Sequence, residues 1–256
     1  MPGRFIGDNG IILNTTKIIA TQQSSDSIAL LLDQEKAYDR IHPEYLRTVM
    51  QRFNIPPNLI HSLLTLLFST QIHININGHI SESFIIQHRG IRQDDPISPL
   101  LFNIAFDPFI RSIHNNPNFK GFDYPSEAPP HNPSCPVDDL TISLQSLFLE
   151  LPEPYNPSPS PPPPPSSALA VKILAYADDT LVFLQDAADF HLLQLTIQTY
   201  MKASNSLLNF HKTAALSLSG KPHAAWQARL ISHGITAWHD RTSCHRTEVH
   251  NGLSDL

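Results

Sequence analysis

Two adjacent aspartates, Asp178 and Asp179, lie between apolar runs in the segment ILAYADDTLVFL, residues 173–184. The runs VKILAY and TLVFL predict two strands, so the aspartates would occupy the tip of a tight hairpin. Adjacent carboxylates raise each other's pKa unless a cation compensates them, and a divalent metal ion is the usual cation. The alternative is an ordinary solvent-facing turn, because aspartate is common in turns.

A third carboxylate, Asp33, follows the apolar run IALLL, where a strand would deliver it to the end of a sheet. Asp33 and Asp178 can then face each other on neighbouring strands. Three carboxylates on adjacent strand ends can hold two Mg²⁺ ions, because waters and substrate phosphates supply the remaining ligands. The arrangement predicts two-metal chemistry, in which an oxygen attacks phosphorus in line with the leaving phosphate.

The elements that must position these carboxylates lie on both sides of a proline-rich middle segment. PEYLRTVMQRF and PNLIHSLLTLLFS predict two packed helices, each with proline in its first turn. Alternation on both sides of Asn77-Gly78 predicts a hairpin. SPLLFNIAFDPFIRSIHNN predicts a helix that is capped by Ser98 and kinked at Pro108. A helix over roughly 187–206 and a last strand, AALSLSG, follow the Asp178 hairpin.

The chain of 256 residues is long enough for one large or two modest domains. Its net charge comes from the middle segment. Residues 121–168 carry six acidic and no basic side chains, whereas the two charges balance elsewhere, so the net charge of −6 does not exclude a polyanionic substrate. The same segment holds 14 of the 23 prolines, which predicts a disordered insertion over 122–168. Its apolar patch Leu140–Glu150 leaves a short docked helix as an alternative.

Several protein classes are disfavoured by the sequence. No apolar run reaches the ~18 residues of a membrane span, and MPGRFIGDNG lacks the basic and apolar regions of a signal peptide. We therefore expect a soluble, intracellular protein with no membrane contact. Two cysteines, Cys135 and Cys244, are too few for a disulfide framework or a four-cysteine zinc site. The spacing of His239, Cys244, His245 and His250 matches no zinc module.

Four segments, DQEKAYDRI, RGIRQDDPISPLLFN, LAYADDTLVF and LLNFHKT, resemble in this order consecutive motifs of reverse transcriptases from non-LTR (LINE-type) retrotransposons. FIGDNGIIL also resembles the segment before the first motif. The resemblance implies an α+β fold, a polymerase palm whose antiparallel sheet is backed by helices, with partial fingers and palm over 1–121 and the rest of the palm over 169–220. It implies an RNA-directed DNA polymerase that uses two Mg²⁺ ions to transfer nucleotides from dNTPs to a DNA primer on an RNA template.

The resemblance also assigns roles to residues. The metal ligands would be Asp33, Asp178 and Asp179. The nucleotide contacts would be Gln34, through its backbone carbonyl, Tyr38 and Gln93, and the proton donor would be Lys212. Pro96 and Ser98 would shape the start of the helix behind Gln93. Tyr38 matches the aromatic residue that excludes a 2′-hydroxyl, and core packing is its alternative role. Lys212 matches the lysine proposed to protonate pyrophosphate, and an ordinary surface lysine is the alternative.

The chain departs from this family at several points. Asp94 replaces a glycine in a run that would read RQGDP, and its bulk and charge should weaken polymerisation. Much of the fingers and the thumb is missing, and 221–256 reads as a degenerate tail, so we expect a truncated domain. A catalytically dead remnant is therefore the alternative function, binding nucleic acid, or a polyproline-recognising protein through residues 157–167. A two-metal nuclease would explain neither Gln93 nor Tyr38.

Overall fold

The structure is a computed structural model that describes residues 6–68, 70–93, 95–125 and 170–240. The chain divides into two compact units, residues 1–122 together with 170–256, and residues 123–169. Most of the predicted insertion, including the patch Leu140–Glu150 and the proline run, lies outside the described residues.

Six helices and nine strands are present in the described ranges. The helices are α1 (Ile6–Gln22), α2 (Pro43–Arg52), α3 (Pro57–Leu67), α4 (Ser98–His114), α5 (Ala187–Ser204) and α6 (Ala224–Ile231). The strands are β1 (Ile28–Leu32), β2 (Gln71–Ile76), β3 (His79–Ile86), β4 (Phe122–Asp123), β5 (Ala170–Val171), β6 (Ile173–Tyr176), β7 (Asp179–Leu184), β8 (Ala214–Ser217) and β9 (Ala237–His239). This mixture of helices and sheets confirms the expected α+β class.

Five strands form the main sheet, in the order β6–β7–β1–β8–β9. β1 is antiparallel to both of its neighbours and pairs Leu32 with Thr180 on β7 and Leu31 with Ala214 on β8. β8 and β9 run parallel, because α6 forms the crossover connection that parallel neighbours require. Ala214–Ser217 is therefore not the last strand, and residues 221–240, which were assigned to a degenerate tail, supply a helix and a strand to the fold.

The apolar core lies between this sheet and a layer of helices. All residues of β1 except Leu31 are buried, and Leu30 and Leu32 belong to the core cluster. α4 contributes Phe102, Phe106 and Phe109, whose spacing places them on one face of the helix and whose rings stack in sequence at 5.7 and 5.2 Å. α2 and α5 pack against α4, so the three helices support the sheet from one side.

The start of α4 differs from the prediction. The helix begins at Ser98 with Ile97 as its N-cap, so Ser98 is not the cap. No side chain caps the helix; instead the Asp95 Oδ1 accepts a hydrogen bond of 3.1 Å from the Ile97 N–H, in a turn that precedes the helix. Ser98 is buried instead, and the helix continues through Pro108 as far as His114.

The predicted hairpin at Asn77-Gly78 is present as β2 and β3. Asn77 and Gly78 have φ values of +51° and +90°, the left-handed geometry that the commonest two-residue hairpin turn requires. Its apolar side chains are largely exposed on both faces, as Ile76 and Ile80 show at 66% and 67% exposure.

The chain leaves the first unit and returns to it at neighbouring positions. Gly121 has a φ of +73°, and a Cβ there would lie 2.6 Å from the carbonyl oxygen of Val171. The fully buried carboxylate of Asp189 accepts hydrogen bonds of 2.8, 3.0 and 2.9 Å from the N–H groups of Lys120, Gly121 and Gln185. These bonds fix the exit point of the insertion against the start of α5.

α1 precedes the main sheet and was not predicted as a helix. It packs against β6, and it leaves Ile11 and Ile18 about two-thirds exposed, at 65% and 60%. Within the described ranges, no helix combines the length and the hydropathy that a membrane span requires.

Candidate active site

Asp33 and Asp179 lie at the same end of the main sheet. Asp33 follows β1 directly, and Asp179 is the first residue of β7, the neighbouring strand. Leu32 pairs with Thr180, so each aspartate is one residue away from the same pair. Paired residues on antiparallel strands have Cα atoms about 5 Å apart. The structure therefore brings the two carboxylates to neighbouring backbone positions.

The hairpin between β6 and β7 displays the other candidate carboxylate at its tip. Tyr176 pairs with Asp179, so the turn consists of Ala177 and Asp178. Ala177 has a φ of +52°, a left-handed conformation that costs a residue with a Cβ roughly 1–2 kcal/mol. Asp178 and Asp179 are both exposed. The hairpin thus presents two acidic side chains to solvent, Asp178 in the turn and Asp179 at the start of β7, beside Asp33.

Tyr38 lies within electrostatic range of this tip. Burial raises the pKa of the Tyr38 hydroxyl, and the negative charge of Asp178 raises it further. The Tyr38 ring stacks on Phe102 of α4, with centroids 4.7 Å apart and planes at 8°. The stack fixes the ring, and the raised pKa extends the pH range over which the hydroxyl is protonated.

Gln34 directs its backbone and its side chain to different surroundings. The Asp33 carbonyl accepts a hydrogen bond of 2.9 Å from the Asn209 N–H, and the Glu35 N–H donates one of 2.8 Å to the Leu207 carbonyl. Gln34 therefore lies opposite Leu208. In such an antiparallel bridge, the N–H and C=O of the flanked residue point to the other side, which here is the side of β7. The side-chain amide is buried, and it has no hydrogen-bond partner among the described residues.

The segment before α4 is tied to the segment that contains Tyr38. The Ile91 N–H donates to the Tyr38 carbonyl at 2.9 Å, and the Gly90 N–H donates to Ile41 at 2.8 Å. A Cβ on Gly90, whose φ is +83°, would lie 2.7 Å from the Asp39 carbonyl oxygen, so this contact requires glycine. Gln93 follows two residues after Ile91, and its side chain is exposed.

Lys212 lies at the same end of the sheet as Asp33. The Asn209 N–H donates to the Asp33 carbonyl at 2.9 Å, and the Lys212 N–H closes a turn onto the Asn209 carbonyl at 3.1 Å. β8 begins two residues after Lys212, opposite Leu31. The Lys212 side chain is exposed, so its ammonium group can reach a ligand in solvent.

The donor atoms at this end of the sheet suit a hard divalent cation. Mg²⁺ binds through one or two carboxylates together with waters and phosphate oxygens, and Asp33 and Asp179 provide two adjacent carboxylates. In the described part of the chain, no three His, Cys, Asp or Glu side chains are grouped closely enough to hold a metal ion by themselves. Two carboxylates would leave the other ligand positions of such an ion to waters or to substrate oxygens.

Some candidate residues lie outside the described residues, namely Asp94 and the tail positions Cys244, His245 and His250. Pro96 and Ser98 are described: Pro96 lies in the turn before α4, and Ser98 is the first residue of that helix. One contact at the hairpin was not anticipated from the sequence: Asn9 of α1 donates its side-chain N–H to the Ala175 carbonyl at 3.2 Å. The only sequence signal for Asn9 was its place in the segment FIGDNGIIL.

Residues 4–245 match the family described as reverse transcriptase (RNA-dependent DNA polymerase). The chain belongs to the reverse transcriptase family. It is 26% identical over 216 residues to the transposon TX1 uncharacterized 149 kDa protein of Xenopus laevis, a match that covers 84% of this chain and 13% of that protein. It is 28% identical over 120 residues to a retrovirus-related Pol polyprotein from the type-1 retrotransposable element R2 of Popillia japonica, over 46% of this chain and 18% of the polyprotein.

These similarities identify the chain as a reverse transcriptase domain of the LINE type, and the chain spans less than a fifth of these relatives. The fold is similar to that of two telomerases. Apo telomerase from Candida tropicalis matches with a TM-score of 0.51 at 10% identity, over 83% of this chain and 35% of that chain. Telomerase from Candida albicans, solved in complex with a fragment of telomeric RNA, matches with a TM-score of 0.50 at 10% identity, over 83% and 30%.

Proposed function

We propose that this reverse transcriptase domain catalyses RNA-templated DNA synthesis with two Mg²⁺ ions at the end of the main sheet. The supporting observation is that Asp33 and Asp179 occupy adjacent strand positions, with Asp178 at the hairpin tip between β6 and β7. In the reaction, the primer 3′-oxygen forms a bond to the α-phosphorus of a dNTP, the bond to the β-phosphate oxygen breaks, and pyrophosphate leaves. Bound divalent ions neutralise the phosphates and activate the attacking oxygen.

The residues of the chain would divide the work as follows. Asp33 and the two hairpin aspartates would hold the ions, and the Gln34 carbonyl would add a neutral oxygen from the side of β7. Lys212 would donate a proton to the leaving pyrophosphate, which its exposed ammonium group can reach. Asp33 would thus hold the ions, and Lys212 would act on the leaving group.

Tyr38 and Gln93 would contact the incoming nucleotide. The stacked Tyr38 ring, with its hydroxyl protonated, would lie beneath the sugar and leave no room for a 2′-hydroxyl. Gln93 would approach the ribose and the template base. The substitution Tyr38→Ala should therefore raise incorporation of ribonucleotides relative to deoxyribonucleotides, whereas Tyr38→Phe should retain the preference. Equal selectivity of Tyr38→Ala and the unmodified chain would exclude this role.

Primer extension tests the proposal directly. The unmodified chain, Asp178→Asn and Asp186→Asn would be incubated with an RNA template, a DNA primer, dNTPs and Mg²⁺. Asp178→Asn removes a charge at the proposed site, whereas Asp186→Asn removes one at the start of α5 and keeps a good helix cap. Extension by the unmodified chain and Asp186→Asn, with at least about 100-fold loss in Asp178→Asn, is expected. Equal signals in all three proteins would contradict the proposal.

Asp94 would limit this activity, because it follows Gln93 directly in the sequence and carries a carboxylate where the family has glycine. Like charges repel, so the Asp94 carboxylate should weaken binding of the triphosphate. The substitution Asp94→Gly should raise the rate of primer extension and lower the KM for dNTP. An unchanged rate would remove Asp94 as the cause of any weak activity.

We infer a separate protein-binding role for the proline run within residues 157–167, because five consecutive prolines favour the extended helix that aromatic-lined grooves bind. The full chain and a variant with Pro161–Pro165 replaced by alanine would be titrated with a purified SH3 or WW domain in a calorimeter. Binding by the unmodified chain alone is expected, and equal heats for the two chains would contradict this role. If both this chain and Asp94→Gly fail to extend a primer, binding of this kind would be the function of a catalytically inactive domain.

A further inference from the structure

The strand that leads into the carboxylate hairpin is the edge of the main sheet. β6 has β7 on one side. Along an antiparallel strand, residues alternate: one bonds to the neighbouring strand through its N–H and C=O, and the N–H and C=O of the next point away from that strand. The Phe183 N–H donates to the Lys172 carbonyl at 2.9 Å, so the Lys172–Phe183 pair is of the bonded kind. Ala175 is three residues after Lys172 and pairs with Thr180. Its carbonyl therefore points outward, off the edge of the sheet.

α1 supplies the group that satisfies this outward carbonyl. The Asn9 Nδ2 donates to the Ala175 oxygen at 3.2 Å, although 166 residues separate the two in the chain. α1 packs against β6, and Asn9 is partly buried in its first turns. The contact is thus a tertiary hydrogen bond that ends one residue before Tyr176 and two before the strained Ala177.

On the face of the sheet that α1 covers, the hairpin borders a cavity. A cavity of about 360 Å³ lies between α1 and the sheet, and its lining includes Asn9, Gly10, Tyr176, Asp179 and Thr180. Tyr176 is 56% exposed, so its ring does not fill the space. Because the cavity adjoins the tip and Ala177 holds a left-handed conformation, the position of the tip depends on the bonds of β6, those to β7 and the one from Asn9.

We propose that Asn9 is a positioning residue for the carboxylate hairpin: by holding the Ala175 carbonyl, it fixes Asp178 and Asp179 relative to Asp33. The proposal rests on the function proposed above, and it adds α1 to the elements that build the site. Asn9 contacts neither substrate nor metal in this role. It acts through the backbone of β6, in the way that residues around metal ligands set the geometry of those ligands.

The test compares three substitutions within α1. Asn9→Ala removes the side-chain donor, and Asn9→Gln retains an amide donor on a longer side chain. Asn14→Ala is the matched control, because Asn14 is an exposed asparagine of the same helix that lines a different cavity, further from the hairpin. Thermal unfolding of each variant would establish that it is folded. If Asn9→Ala does not fold, Asn9→Ser, which is too short to reach the Ala175 carbonyl, replaces it.

Two measurements would then be made on each folded variant. The first is hydrogen–deuterium exchange of peptides that cover residues 173–184, and the second is the affinity for Mn²⁺ by titration calorimetry. In Asn9→Ala, exchange should accelerate in the hairpin peptides alone, and Mn²⁺ should bind about 10- to 100-fold more weakly, as when a group that orients a metal ligand is removed. Asn9→Gln should recover part of both effects, and Asn14→Ala should match the unmodified chain.

Unchanged exchange of the hairpin peptides in Asn9→Ala would overturn the proposal, as would an equal change in Asn14→Ala. The same exchange effect with unchanged Mn²⁺ affinity would also overturn it, because Asn9 would then stabilise β6 without positioning the carboxylates. Failure of the proposed function is separable, since it would show as absent primer extension in both the unmodified chain and Asp94→Gly, whatever the exchange rates.

Discussion

Replacing Gln34 by leucine should stabilise the protein. Both polar atoms of the Gln34 side chain are buried without a hydrogen-bond partner among the described residues. The surrounding side chains include Leu32, Phe106, Phe109 and Leu208, and the gap beside them has no room for a water molecule. An amide buried in this way costs about 1–3 kcal/mol relative to water. Leucine fills a similar volume and has no polar group to desolvate.

The expected gain is therefore about 1–3 kcal/mol in the free energy of unfolding, measured by urea denaturation at equal slope. For a body of this size, the gain corresponds to roughly 2–12 °C in the midpoint of thermal unfolding. Gln198→Leu is the matched control, because Gln198 is an exposed residue of α5 and the same change there should alter stability by less than about 0.5 kcal/mol. Mn²⁺ affinity should not change in Gln34→Leu, because the backbone carbonyl is retained.

A loss of stability in Gln34→Leu, or an equal gain in Gln198→Leu, would refute this reasoning. The first result would mean that the amide has a stabilising partner. The second would mean that the gain comes from the amino-acid preference alone, and that burial of the amide plays no part.

Three further predictions concern other aspartates. Asp189→Ala should lower the free energy of unfolding by about 3 kcal/mol or more in urea denaturation, because three backbone N–H groups lose a fully buried acceptor; a loss below 1 kcal/mol would contradict this. The ion pair with Lys120 lowers the pKa of Asp186, so its stabilising effect is complete above the usual aspartate pKa and disappears as the pH falls through the lowered value. Asp186→Asn should therefore flatten the acid limb of the stability curve, and an unchanged limb would exclude this linkage. Asp178→Asn should lower the pKa of Tyr38 towards its usual value, which an ultraviolet titration would detect as one tyrosine ionising at lower pH. An unchanged titration would show that the charge of Asp178 does not act on Tyr38.

Local sequence patterns predict secondary structure correctly where the conformation depends on neighbouring residues alone. Asn77-Gly78 specifies a turn through the backbone conformations that these two residues tolerate, and the paired apolar runs around Asp178 produced β6 and β7. The proximity of Asp33 to this hairpin also follows from simple rules, because each aspartate ends or begins an apolar strand. For these elements, sequence periodicity carries the necessary information.

Other features depend on contacts between distant segments and could not be inferred locally. α1 has no clear apolar stripe, since it leaves Ile11 and Ile18 exposed, and its helix is defined partly by its contact with β6. Ser98 is predicted as a cap because of its residue type, but the helix already begins at Ser98, after a turn in which Asp95 accepts the Ile97 N–H. The bond from Asn9 to Ala175 joins positions 166 residues apart, and no short-range pattern encodes such a pairing.

Asp33 and the hairpin aspartates should form one site for divalent cations. This site can be tested by titrating Mn²⁺ into the unmodified chain, Asp33→Asn, Asp178→Asn and Asp186→Asn in the presence of a non-hydrolysable dNTP. We predict binding to the unmodified chain and to Asp186→Asn, and a loss of at least about tenfold in affinity for both Asp33→Asn and Asp178→Asn. Equal affinity in all four proteins would contradict the account.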